Sequence, residues 1–355
     1  SHLASRLIMM WLADGVTEVD IAHFDRTLYL AIKNVQQAEG VHLHRGMRNP
    51  ADYIGIFDLK CPQIREYIDR YCFLPKLQEE ATFDQIRMDN PVMVYANEMA
   101  PINAAWTALE KARDEVDHLT PRDFAKRRFD DEIRAWQWNR AKYQKPKYAS
   151  INDQETATAD SRPYLLLPNG NEHFTTGVLV VHGFLASPAE LRNLGDRLAA
   201  RDYAVMGVRL AGHGTSPHEL QKRTWGDWLA SVRRGYEIMS AFCDNIIVVG
   251  FSTGGALSAI LAADRPEKLA GLVVASTPLK FRNRNLMFVP LLYGANKLMG
   301  WVPSAQEMLS FRLNESEHPD INYRNIPIGG LHNLRLAVAE MQNRLPDIAC
   351  PILIL

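Results

Sequence analysis

The stretch NIIVVGFSTGGALSAI, residues 245–260, constrains the fold more than any other part of this 355-residue chain. An apolar, β-branched run leads into Gly250-Phe251-Ser252-Thr253-Gly254, and a run of small and aliphatic residues follows. Strand, tight turn and helix are therefore predicted in direct succession, with the pattern G-x-S-x-G at the joint. Gly250 and Gly254 leave room for the turn, and Gly255 lets the helix pack closely. Ser252 then stands at the C-terminal end of its strand, where open α/β sheets place their sites, with a strained backbone at positive φ. A serine N-cap on an ordinary turn is the plainer reading; the register of strand, turn and helix argues against it.

The flanking pattern agrees. GVLVVHG (177–183), YAVMGVRL (203–210), NIIVVG (245–250) and LAGLVVAS (269–276) read as continuous apolar strands. Between them lie amphipathic segments. PAELRNLGDRLAARD is predicted to bury Leu191, Leu194 and Leu198, and TWGDWLASVRRGYEIMSAF to bury Trp228, Val232, Tyr236 and Met239. Continuous apolar strands alternating with such helices predict a mostly parallel sheet covered on both faces.

A serine that attacks an acyl group needs donors for the oxyanion that develops. The backbone N–H of Thr253, at the start of the elbow helix, supplies one. The loop HGFLASP after the strand 177–181 supplies the second, through Phe184 N–H. His182 belongs to that loop and His213 to LAGHGTSP after the next strand; both read as loop braces and not as catalytic bases.

VVHGFLASP, RLAGHGTSP, TWGDWLASVRRGYEIM and VVGFSTGG, in this order, resemble the α/β-hydrolase superfamily, within it the bacterial monoacylglycerol lipase and carboxylesterase group. The resemblance spans about 163–355. It implies an α/β-hydrolase sheet with a cap insertion, and cleavage of carboxylic esters, monoacylglycerol or similar lipid esters, through an acyl-enzyme on Ser252. It also implies a Ser-Asp-His triad and no cofactor. The cap is placed at about 280–348, since more than seventy residues separate LVVAS from CPILIL, far beyond an ordinary connection. Phe288, Leu291, Leu292, Met299 and Trp301 in it suit an acyl chain, or simply pack the cap onto the core.

In such enzymes the chain order is Ser, acid, His. After Ser252 the sequence offers His318 and His332, both placed in the cap, and Asp347 before the strand CPILIL. The triad Asp and His are thus expected beyond Leu355, with the domain apparently truncated at its C-terminus; His332 as a rerouted base is the third choice. Two other functions stay open: an inactive hydrolase-like binding protein, and an amidase or peptidase using the same serine.

Residues 1–150 read as a mainly helical region and 151–162 as a linker. HFDRTLYLAIKNVQQAEG places Phe24, Leu28, Ile32 and Val35 on one helical face, with Gly40 as C-cap. PINAAWTALEKARDEVDHL is predicted to open at Pro101, and a helix from Pro121 takes Thr120 as N-cap. NPVMVYANEM suits a short strand. Residues 121–147 carry nine Lys/Arg against four Asp/Glu, with Phe124, Phe129, Trp136 and Trp138 interleaved. Such a helix can make a peripheral membrane contact; packing of its aromatics on a neighbouring domain is the favoured reading. The formal net charge of -1 gives no case for nucleic acid. Cys61, Cys72, Cys243 and Cys350 are scattered, as reduced, buried thiols are in a cytoplasmic protein, and no metal spacing is found; a place in lipid metabolism is what the resemblance implies.

Overall fold

The computed structural model describes residues 2–16, 19–38, 43, 45–48, 53, 96–170, 173–279 and 311–355. Gly40, Cys61, Cys72, residues 90–95 and the apolar cap residues Phe288–Trp301 lie outside these. The chain forms two compact units, Ser1–Phe124 and Ala125–Leu355.

In the first unit, α1 (His2–Ala13), α2 (Ile21–Gln37), the single turn α3 (Arg45–Arg48) and α4 (Ala96–Val116) pack around an apolar centre. Phe24, Leu28, Ile32 and Val35 are buried along one face of α2, as their spacing predicts. Asp20 caps α2 by accepting His23 N–H at 3.3 Å. Asn34 donates to Ala108 O of α4 at 3.3 Å. The start of α4 differs from expectation. It opens at Ala96, ahead of Pro101, so 96–99 are helical and not part of a strand. Ala96, Glu98, Met99 and Ala100 are strong helix formers, which outweighs the β-prone residues before them.

α5 (Pro121–Tyr143) starts on the expected cap: Asp123 N–H donates to Thr120 Oγ1 at 3.1 Å. The unit boundary falls within α5, at 124/125 rather than near 150, and side-chain bonding explains it. From Ala125 on, the helix ties itself to the second unit. Arg128 pairs with Glu237 at 2.8 Å, Glu132 with Arg234 at 2.6 Å, and Trp136 Nε1 donates to Ser161 Oγ and Gly214 O, each at 3.1 Å. Phe124 and Trp136 are buried, Phe129 and Trp138 half-buried. The expected linker is likewise bonded down. Beyond the turn α6 (Ala149–Asn152), Thr156 Oγ1 donates to Pro319 O, Thr158 and Ala159 N–H to Asp320 O, and Glu155 accepts the N–H groups of Arg324 and Asn325.

The sheet has the order β1 (Tyr164–Leu166), β3 (Ala204–Val208), β2 (Phe174–Val181), β4 (Cys243–Phe251), β5 (Leu269–Ala275), β8 (Ile352–Ile354). β1 is antiparallel to β3; all other pairings are parallel. A short antiparallel ribbon, β6 (Phe311–Leu313) with β7 (Asn325–Pro327), stands apart. Alternation along the strands divides the core. Leu179, Val181, Met206, Val208 and Val248 share one apolar cluster with Leu220 of the turn α8 (Pro217–Leu220), α9 (Trp225–Ser240) and α10 (Thr253–Ala263). Val178, Val180 and Val205 share another with Tyr164 and α7 (Arg192–Ala199). Strand side chains point alternately to opposite faces, so the sheet is covered on both.

Two expectations change here. Leu194 is 37% exposed. α7 turns Gly195 toward the sheet instead, because the Tyr164 ring fills the space where a side chain at 195 would go. The end of the expected cap belongs to the main layer. α11 (Ile328–Arg344) packs on α10 and buries Ala337, Val338 and Met341 in the core. It is the crossover that a parallel β5–β8 pair requires.

Candidate active site

The chain leaves β2 for β3 on one side, then returns past β2 to β4 on the other. The order therefore reverses between β2 and β4, and a crevice forms beyond their carboxyl ends. Val181 is level with Gly250, so the residues after each strand meet. After β4 comes Ser252, at φ 52°, ψ −116°, with its N–H donated to Ala275 O at 2.8 Å. The positive φ is the strain expected of an elbow. A Cβ at Gly254 would run into the carbonyls of Val181 and His182, and one at Gly250 would lie 2.5 Å from Gly254 O. Only glycine permits the helix start to sit this close to β2. The Ser252 side chain remains partly exposed.

Thr253 is the first residue of α10. N–H groups in a first helical turn have no intrahelical acceptor, and the helix dipole adds positive potential there. Facing it is the loop after β2. His182 is fully buried, accepts Leu210 N–H on Nε2 at 3.2 Å, and places Nδ1 2.8 Å from Gly183 O. These two partners assign the proton to Nδ1. Burial, with a smaller push from Arg209, lowers the His182 pKa to about 4, so the ring is neutral. Tying Gly183 C=O in this way fixes the Gly183–Phe184 peptide plane, and Phe184 N–H points away from His182.

The rest of this loop is held as firmly. The Phe184 ring packs 5.9 Å from His213 and 5.8 Å from Trp228. Leu185 takes φ 70°, unusual for a bulky residue, and its carbonyl accepts Tyr323 N–H at 3.0 Å. Tyr323 OH in turn donates to Gly212 O at 3.0 Å. Neither Leu185 nor Tyr323 stands out in the sequence, since a left-handed leucine has no motif and Tyr323 acts from within the segment placed in the cap. His213 is buried beside these rings, its pKa well below the ordinary value by burial and by His182. Both histidines are loop braces.

Ser252, Thr253 and the Phe184 loop are thus brought together: a Cβ on Gly183 would stand 3.3 Å from Ser252 Cβ. Asp347 is not part of this group. Its side chain accepts from Arg344 Nε at 2.9 Å and its carbonyl from Arg265 Nε at 2.7 Å. Arg265 follows the C-terminus of α10, and the 11 residues of that helix span roughly 16 Å from the serine. His318 is exposed, and His332 lies on α11, its pKa lowered by partial burial and Arg335. Cys243 is a free, buried thiol pushed up to about 12 by desolvation. Among the described residues no group of three or more His, Cys, Asp or Glu could hold a metal ion.

The pattern of the family described as "Serine aminopeptidase, S33" matches residues 173–355, the span that carries this crevice. The chain belongs to that family of α/β-hydrolases. A thermostable monoacylglycerol lipase of Bacillus sp. (strain H-257) is 31% identical to it over 183 residues, 52% of this chain and 70% of that protein. A carboxylesterase of Bacillus subtilis (strain 168) is 29% identical over 175 residues, 49% of this chain and 68% of that one. A solved structure from the metagenome-derived lipolytic enzymes LipS and LipT is 27% identical, with a TM-score of 0.46, covering 56% of this chain and 76% of its own. The matched span leaves the helical unit outside the family region. No helix among the described residues is long and apolar enough to cross a membrane.

Proposed function

We propose that the protein is a serine hydrolase that cleaves carboxylic esters, monoacylglycerols or similar lipid esters, through an acyl-enzyme on Ser252. The observation that carries this reading is the strained elbow. Ser252 holds φ 52° while partly exposed, directly beside the Gly183 turn. In this reading Ser252 Oγ attacks the ester carbonyl, and the oxyanion is met by the backbone N–H groups of Phe184 and Thr253. The tetrahedral intermediate collapses, the alcohol leaves, and water releases the acid from the acyl-enzyme. We place the triad acid and histidine after β8, in the order in which G-x-S-x-G hydrolases present them. Asp347, turned toward Arg344 and Arg265, gives no reason to move the acid upstream.

The names of the two Bacillus relatives support esters as the substrate class. The family's description favours a second reading, an amide or peptide bond cleaved by the same serine. A peripheral membrane contact through 121–147 has weaker support, because Phe124 and Trp136 are buried and not available to a lipid surface. The test uses the full-length protein, a fluorophosphonate probe and paired p-nitrophenyl ester and anilide substrates. Ser252→Ala is expected to abolish labelling and to lower ester turnover on the order of 10⁶-fold. Labelling that persists on another serine refutes the assignment. Faster cleavage of the anilide moves the substrate class to amides.

A further inference from the structure

One carboxylate in the crevice has no part in the reaction as described. Glu190 lies in the turn Pro188–Leu191, which bends the chain back through Glu190 N–H to Ser187 O at 3.0 Å. This returns its side chain to the loop it has just left, where Glu190 Oε2 accepts Gly183 N–H at 2.7 Å. A Cβ on Gly183 would lie 3.3 Å from Glu190 Oε2, 3.3 Å from Ser252 Cβ and 3.4 Å from Phe251 Cδ1. Carboxylate, glycine and serine thus converge on one point.

Gly183 is held from both sides. His182 Nδ1 takes its carbonyl and Glu190 takes its N–H. Glycine has the widest choice of backbone angles, and it lies one residue before the proposed oxyanion donor. Without an outside restraint, the peptide carrying Phe184 N–H could rotate through several conformations. The His182 contact fixes one peptide plane and leaves the preceding one free. A charge-assisted bond to a half-buried carboxylate is the stronger kind of restraint for that plane. Burial pushes the Glu190 pKa up, while the Gly183 N–H and the charge of His318 oppose the shift.

We propose that Glu190 is a positioning residue of the oxyanion loop: its carboxylate anchors Gly183 N–H and so keeps Phe184 N–H aimed at the oxyanion formed on Ser252. The proposal rests on Ser252 as nucleophile. An oxyanion donor works in the transition state, so misaiming it lowers kcat and leaves KM nearly unchanged.

The test compares Glu190→Gln, Glu190→Ala and Glu190→Asp in the full-length protein. p-Nitrophenyl butyrate kinetics are read together with amide hydrogen exchange at Gly183 and Phe184. Glutamine keeps an acceptor at the right reach; alanine has none; aspartate keeps the charge but falls one methylene short. Glu190→Ala and Glu190→Asp are both expected to lower kcat by about ten- to a hundredfold, below the loss from deleting a donor outright. KM should stay within about twofold, a pattern that marks an interaction made only in the transition state. Exchange at Gly183 and Phe184 is expected to quicken in both, while the β4 amides stay protected. Glu190→Gln should recover most of the turnover. Unchanged kcat in Glu190→Ala overturns the proposal, as does unchanged exchange at Gly183 in either short variant. If alanine unfolds the protein, the aspartate–glutamine contrast decides alone. A dead Ser252→Ala beside a fully active Glu190→Ala sinks only this proposal. A Ser252→Ala that keeps turnover sinks the nucleophile reading, and this proposal with it.

Discussion

In the helical unit, 2–124, the described residue with positive φ is Gly15, at φ 75° with nothing within 4 Å of where a Cβ would be. Among the described residues of the α/β unit six non-glycine residues have positive φ: Asn169, Leu185, Asp202, Ser252, Arg265 and Ser276. Asn and Asp adopt this conformation at little cost, so 169 and 202 are ordinary turns. Leu185, Ser252 and Ser276 follow β2, β4 and β5, three neighbouring parallel strands, at their carboxyl ends. The described helices of the first unit bury their apolar faces with a relaxed backbone. The α/β unit concentrates strain along one edge of its sheet, and crowding from adjacent strands maintains it. The difference singles out the carboxyl ends of these strands, where the proposed site lies, without reference to any motif.

Three measurements break or sharpen this contrast. Gly254→Ala drives a methyl into the Val181 and His182 carbonyls; neither is a flexible side-chain end that can yield. A loss of about 3 kcal/mol in urea unfolding is expected, the upper end for overpacking. A loss under about 1 kcal/mol would mean that the elbow is less crowded than described.

The second concerns pH. Burial holds His182 at about 4, while the unfolded chain titrates it near 6.5. Between these values the unfolded state binds a proton that the folded state refuses, so stability rises with pH across that window. The contribution is complete above about pH 6.5 and is lost as pH falls toward 4. Its ceiling is on the order of 3 kcal/mol. His182→Gln should flatten the slope of unfolding free energy against pH between 4 and 6.5. An unaltered slope would show that the histidine is not the buried neutral brace described here.

The smallest effect belongs to the relaxed unit. Gly15→Ala meets open space and suffers only the backbone penalty, about 1 kcal/mol. If it costs as much as Gly254→Ala, the strain is not a property of the sheet edge.

Periodicity made the sheet and the elbow readable in the sequence. The apolar runs that became β2, β3, β4 and β5, and the glycines at 250 and 254, act through local sterics and burial, which a sequence records directly. Thr120 and Pro121 likewise announced the start of α5. What escaped was set by side chains meeting across long separations. The pattern of α5 is continuous from Pro121 to Tyr143, and nothing in it shows that Glu132 will find Arg234, or Trp136 the carbonyl of Gly214. Leu194 has the right period for burial, yet the ring of Tyr164 claims that face for Gly195. Of the candidate site, Ser252, Thr253 and Phe184 were named by position. Glu190, Leu185 and Tyr323 hold the loop through contacts that no local spacing encodes.

The clasp between 155–159 and 319–325 bears on how the chain is made. Thr156 and its acceptor are 163 positions apart, and Glu155 and its partners 169 and 170. Closing so long a loop adds little to the equilibrium cost, since the entropy grows only with the logarithm of length. In time the separation is large. At about 5–20 residues per second of synthesis, the acceptors emerge roughly ten to thirty seconds after Thr156. During that interval Glu155 waits in water while the strands up to β5 emerge and can pair. The clasp therefore forms only after the strands up to β5 have emerged. Slowing translation over 160–319 should prolong the exposure of this segment to protease without touching any residue of the crevice.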